Sequence, residues 1–260
     1  MSHSAHILTS SPWPLLTSSI AWNFIVSIIA IFHKYSGAKF SFLTGLLGLL
    51  LIISLWWRDV TREGTYQGFH SKLVIAGLSL GIILFIVSEV ILFFGFFFAY
   101  FNASLTPTLE IGNSWPPTGI SPLNPFEVPL VNTFLLLSSG ITGTWAHHAL
   151  VAGNKKEANY GLILTLILGF FFTYLQYLEY CETSFSIADS VYGSLFFVTT
   201  GFHGIHVLVG AIFLTVGFIR LIKGHFSQNH HLGFEFAIWY WHFVDIVWLF
   251  LFAWIYCWGS

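Results

Sequence analysis

The sequence predicts an all-α polytopic membrane protein with seven transmembrane helices. Three observations carry this. Of its 260 residues 56% are hydrophobic and only 8% are charged, against about 25% charged in ordinary soluble domains. Mean hydropathy is +0.78 over the whole chain. The apolar runs are long and do not alternate, so of the two structures that satisfy a backbone in hydrocarbon, helices are favoured over a closed barrel.

Runs near 15–32, 40–57, 73–101, 128–152, 160–180, 191–222 and 234–258 each hold enough apolar sequence to cross a bilayer, about 17–25 residues. The third and sixth are longer than a crossing needs, which predicts tilt or extension beyond the headgroups. Segment 102–127 is the one substantial loop. It carries Pro107, Pro116, Pro117, Pro122 and Pro125, with Pro129 just beyond, and such a density fixes a turn-rich cap. With no internal repeat and no linker, the expectation is a single membrane domain over 1–260. Loop charge sets orientation: Arg58, Arg62, Lys72, Lys155, Lys156, Arg220 and Lys223 fall on the N-terminal side, and Lys34 and Lys39 on the other. The N-terminus is therefore expected on the positive, cytoplasm- or matrix-equivalent face. Residues 1–14 show neither a signal peptide nor an Arg-rich presequence.

The small, scattered basic content excludes a nucleic-acid surface. Cys181 and Cys257 form no CxxC pair and cannot build a thiolate-bridged copper pair. No Lys lies inside a run, which excludes a retinal Schiff base. The histidines superficially suggest a di-iron oxygenase, but His203 and His206 lie within a span while His147, His148, His225, His230 and His231 lie at or beyond span ends. An independent seven-span transporter or receptor is the other class of alternative.

Ionisable groups inside spans are functional hypotheses by default. Glu89 is the sharpest, mid-run, with Phe85, Ile86, Leu92 and Phe93 as its helical neighbours. Desolvation among them favours a neutral carboxylic acid able to relay a proton, or one acting as packing glue. His203 and His206 sit one turn apart, and Gly201, Gly204 and Gly210 around them predict close helix packing rather than metal ligation. His242 and Asp245 share a helix face as a local pair. Trp56, Trp57, Arg58, Arg62, Glu63, His70 and Lys72 gather beside the longest run, where basic donors suit lipid phosphates.

The stretches SPWPL (11–15), WWRDVTREGTYQGFH (56–70), ILFIVSEV (83–90), SWPPTGI (114–120), TWAHHAL (144–150), SIADSVYGS (186–194), TGFHGIHVL (200–208) and YWHFVDIVWLFL (240–251) closely resemble the subunit III family of mitochondrial-type cytochrome c oxidases, among the haem-copper oxidases. The resemblance runs end to end. It implies two-helix and five-helix bundles around a phospholipid-filled cleft, in a multi-pass protein of the mitochondrial inner membrane. It implies a non-redox core subunit with no catalytic residues, no haem and no metal of its own. The implied partners are subunits I and II, which hold haem and copper, with accessory subunits and phospholipids; cytochrome c is the substrate of the complex. The complex reduces oxygen to water while translocating protons, and the subunit's implied role is to support proton uptake, stability, and lipid and oxygen access. Glu89 matches the family's carbodiimide-reactive carboxylate, and Trp57, Arg62, Glu63, His70 and Arg220 match positions near lipid headgroups. Phe97 and Asn102 stand where the family commonly has Trp and His.

Overall fold

A computed structural model describes residues 10–259, so residues 1–9 of the N-terminal reading lie outside the described residues. The helices are α1 (Trp13–Phe32), α2 (Ala38–Thr65), α3 (Lys72–Leu105), α4 (Val128–Val151), α5 (Lys155–Glu182), α6 (Ser190–Ile222) and α7 (Leu232–Leu251). A 3₁₀ turn, Leu109–Ile111, interrupts the long loop, and α7 runs on into a π-helical segment, Phe252–Cys257. All seven expected helices are present, in order.

Their limits differ from the expectation where the sequence turns polar. Helix α2 continues past Trp57 through Arg58, Asp59, Arg62 and Glu63 to Thr65, because backbone hydrogen bonding continues where hydrocarbon ends. Helix α3 likewise reaches Leu105 and takes up the start of the expected loop. Six helices are long and apolar enough to cross a membrane by length and composition, and α4 is the exception. Its lower hydropathy has a packing cause. It buries Asn132, Thr133, Ser139, Gly140 and Gly143 against neighbouring helices, where small and polar residues serve helix contact rather than lipid.

The chain separates into two compact units, Met1–Leu78 and Ser79–Ser260. In the first, α1 and α2 pair closely. A Cβ on Gly45 would stand 3.1 Å from the Phe24 backbone, and the Ser41 hydroxyl donates to Asn23 Oδ1 at 3.0 Å. Trp13 Nε1 donates to Asp59 Oδ2 at 2.9 Å and ties the start of α1 to the end of α2. Large apolar side chains such as Leu15, Trp22, Ile29, Phe40, Leu47 and Leu51 stand exposed on the pair, as a lipid solvent or a partner helix requires.

In the second unit α4 lies against α5 and α7. Trp241 and Trp248 are each 1% exposed, and their indoles donate to Ser139 Oγ at 2.8 Å and Thr133 Oγ1 at 2.9 Å. Each indole fills volume and satisfies its N–H on α4. Gly153 and Gly224 end α4 and α6 at φ 84° and 72°. With each, the next residue's N–H returns to the helix, Asn154 to Ala149 O and His225 to Arg220 O, in a left-handed closure that favours glycine.

Candidate functional site

Glu89 does not stand alone among apolar side chains as its own helix suggested. Its Oε2 lies 2.8 Å from Nε2 of His206 on α6. The other nitrogen, Nδ1, lies 2.6 Å from the Phe202 carbonyl one turn back. A carbonyl only accepts, so Nδ1 carries a proton. Nε2 then meets the carboxyl in one of two ways: the carboxylic acid donates to a neutral ring, or an imidazolium donates to a carboxylate. In both, one proton lies between Nε2 and Oε2 and the pair as a whole is neutral. Such a pair can shift a proton between its two heteroatoms without changing the net charge inside the membrane.

Helical spacing builds this site. Glu89 and Phe93 share a face of α3, Phe202 and His206 a face of α6, and Tyr240 and Phe243 a face of α7. The His206 ring packs edge-on to Phe93 at 5.1 Å between centroids, edge-on to Phe243 at 6.1 Å, and stacks with Tyr240 at 6.4 Å. The aromatic surround keeps the pair mostly dry, with side-chain exposures of 11% for His206 and 19% for Glu89.

The neighbouring histidine has a separate task. His203, 1% exposed, donates from Nε2 to the Val244 carbonyl at 3.3 Å and packs on Phe172 and Trp248. The two imidazoles therefore bond across helices, as expected, each to its own partner. The expectation for the glycines around them needs correction. Gly201 and Gly204 have no atom within 4 Å of an added Cβ, whereas one on Gly210 would meet Trp241 at 2.9 Å. Close packing is the work of Gly210 alone.

His242 and Asp245 pair as expected, with Nδ1 and Oδ2 3.7 Å apart. A third member was missed. Thr144 of α4 spends its one hydroxyl proton on the Gly140 carbonyl, so it accepts from His242 Nε2 at 3.1 Å. These residues line a groove of about 440 Å³ between α4 and α7.

At the end of α2 the chain turns back on the helix and brings His70 to it. The amides of Tyr66 and Gln67 return to the Arg62 carbonyl and that of Phe69 to the Glu63 carbonyl. The His70 ring thereby lies over Gly64, where an added Cβ would stand 2.7 Å from Nδ1. Arg62 also stands 3.9 Å from Asp59, while Trp57 is 66% exposed. Arg220 belongs to the second unit, where its guanidinium lies 4.5 Å above the Phe226 ring. In the turn beyond it, burial together with the charges of Arg220 and Lys223 holds His225 below the usual histidine range, favouring its neutral form. Phe97 is buried against Trp254, 4.9 Å between centroids, and so fills space as an apolar residue. Asn102 is exposed, beside a groove of about 640 Å³ with Thr106 and Thr108. Among the described residues, no three His, Cys, Asp or Glu side chains converge as a metal site.

This arrangement is accompanied by likeness along the whole chain. The family model described as cytochrome c oxidase subunit III matches residues 3–260. The chain belongs to the cytochrome c oxidase subunit III family. Among curated relatives, "Cytochrome c oxidase subunit 3" of Coturnix japonica is 57% identical over 99% of this chain and 98% of its own length. The proteins of the same name from Struthio camelus and Pisaster ochraceus are 56% and 57% identical over the same shares. Membership in the subunit III family makes the chain a subunit of a respiratory oxidoreductase. Its place is in a complex with other oxidase subunits.

Proposed function

We propose that this subunit supports proton uptake by the catalytic subunit of cytochrome c oxidase through the Glu89–His206 pair, without redox centres or catalytic residues of its own. The observation that carries the reading is the bonding of His206. With Nδ1 committed to a carbonyl, the pair holds one transferable proton at a depth where an unpaired charge is costly. In this reading the chain is a single membrane domain of the mitochondrial inner membrane with its N-terminus on the matrix side. Subunits I and II hold the haem and copper, with accessory subunits around them, and the complex translocates protons as it oxidises cytochrome c. Trp57, Arg62, Glu63, His70 and Arg220 serve phospholipid headgroups. Support comes from the basic and aromatic groups gathered at helix ends, whose donors suit phosphate.

The test is Glu89→Gln in the assembled oxidase. The amide still donates to His206 but cannot exchange a proton with it, so haem and copper content should stay unchanged. Turnover should fall at the alkaline end of the pH profile, where proton supply limits the rate. A pH profile identical to that of the unsubstituted enzyme would contradict the proposal.

A further inference from the structure

Among the described residues, the most deeply buried carboxyl lies outside the site above. Glu179 on α5 is 2% exposed, and it stands with Gln176 (5%), Asn132 of α4 (0%) and Tyr256 of the π-helical segment (2%). The Tyr256 hydroxyl donates to Glu179 Oε1 at 2.6 Å, and Gln176 Nε2 donates to the same oxygen at 2.8 Å. Tyr256 has spent its only proton, so at 3.4 Å it accepts from Gln176 Nε2. That fixes the Gln176 amide, whose Oε1 then accepts from Asn132 Nδ2 at 3.4 Å. Every orientation in the cluster follows from one hydroxyl.

Counting donors against acceptors leaves a deficit. Glu179 Oε2 and Asn132 Oδ1 are both fully buried acceptors with no partner. Among the described residues, no Lys, Arg or His forms an ion pair with Glu179. The titratable groups around it are Tyr256 from the π-helical segment and Tyr180 on its own helix, while α4 contributes only the neutral Asn132. The Tyr180 hydroxyl is committed to Thr200 at 2.7 Å. An ionised carboxylate here would have two neutral donors on one oxygen, none on the other and no counter-ion, which is the costly case for a buried charge.

We propose that Glu179 is a proton-binding site, holding a proton on Oε2 as a neutral carboxylic acid. The added proton removes the charge and turns one of the two orphaned acceptors into a donor. Oε1 keeps both of its donors, as the carbonyl oxygen of an acid does. The site is a second store for a membrane-buried proton, separate in residues from Glu89 and His206.

Infrared spectroscopy of the complete oxidase in phospholipid vesicles tests this. A protonated-carboxyl stretching band that persists from mildly acidic to mildly alkaline pH is expected, and it should vanish in Glu179→Gln while any Glu89 band stays. Because an amide copies the shape and donor of a neutral acid, Glu179→Gln should assemble with an unchanged Tm. Failure of that variant to assemble, or absence of a band assignable to Glu179, would overturn the proposal. So would a Tm of the unsubstituted oxidase that follows sodium or potassium concentration in a way Glu179→Gln abolishes, since the site would then hold a metal cation instead of a proton.

Discussion

Replacing His206 by leucine should destabilise the assembled subunit by about 1–3 kcal/mol, the cost of a buried polar group left without its partner. Leucine fills much of the imidazole's volume among Phe93, Tyr240 and Phe243 but offers no atom to Glu89 Oε2, now 2.8 Å from Nε2. The carboxyl escapes a larger penalty by staying protonated, yet its O–H then faces aromatic rings. Glu89→Gln should cost much less, within about 1 kcal/mol, because the amide donates to the Nε2 lone pair and preserves a neutral hydrogen bond. Combining His206→Leu with Glu89→Leu should recover much of the loss, since removing both partners removes the unsatisfied group. Thermal melting of the purified complex reads all three. A His206→Leu Tm equal to that of the unsubstituted complex would show that the pair contributes nothing to stability.

Gly161→Ala should cost about 1–3 kcal/mol, the range for overpacking a close-packed interface. Its added Cβ would stand 3.0 Å from the Ala146 nitrogen, the Ala146 Cβ and the Thr142 carbonyl oxygen. Two of these three atoms belong to backbone, so no rotamer change relieves the contact and α4 must move away from α5. The movement would also stretch the 2.8 Å hydrogen bond between Thr142 and Thr165 across the same interface. Gly201→Ala is the matched control, because no atom lies within 4 Å of its added Cβ. There the higher helix propensity of alanine should leave stability unchanged or raise it by up to about 1 kcal/mol. Similar losses in both variants would mean that helix flexibility, not the close approach of α4 and α5, governs the response.

The membrane helices were legible because hydrocarbon imposes length and composition on whatever crosses it. Their ends were not, since hydropathy stops at Trp57 while the α2 backbone bonds on to Thr65. Glu89 was conspicuous as a lone carboxyl in an apolar run, but its partner lies 117 residues away on another helix. Periodicity sees only one helix at a time, so the apolar faces around Glu89 were read correctly and its surroundings were not. Glu179 was missed because it lies three residues from the end of α5, where a carboxylate ordinarily reads as interfacial. The available signal was Gln176 at i−3, which places an amide and a carboxyl on one helix face. Its remaining partners come from α4 and the π-helical segment, and no local pattern announces them.

The most direct test of the account is purification of the complex through a tag on this chain, in mild detergent, with an optical spectrum and metal and phosphorus analyses before and after the chain is separated from its partners. The account predicts haem, copper and phospholipid in the intact preparation, and neither haem nor copper on the separated chain. A chain that came out alone and bare, or one that kept stoichiometric iron or copper after separation, would contradict it.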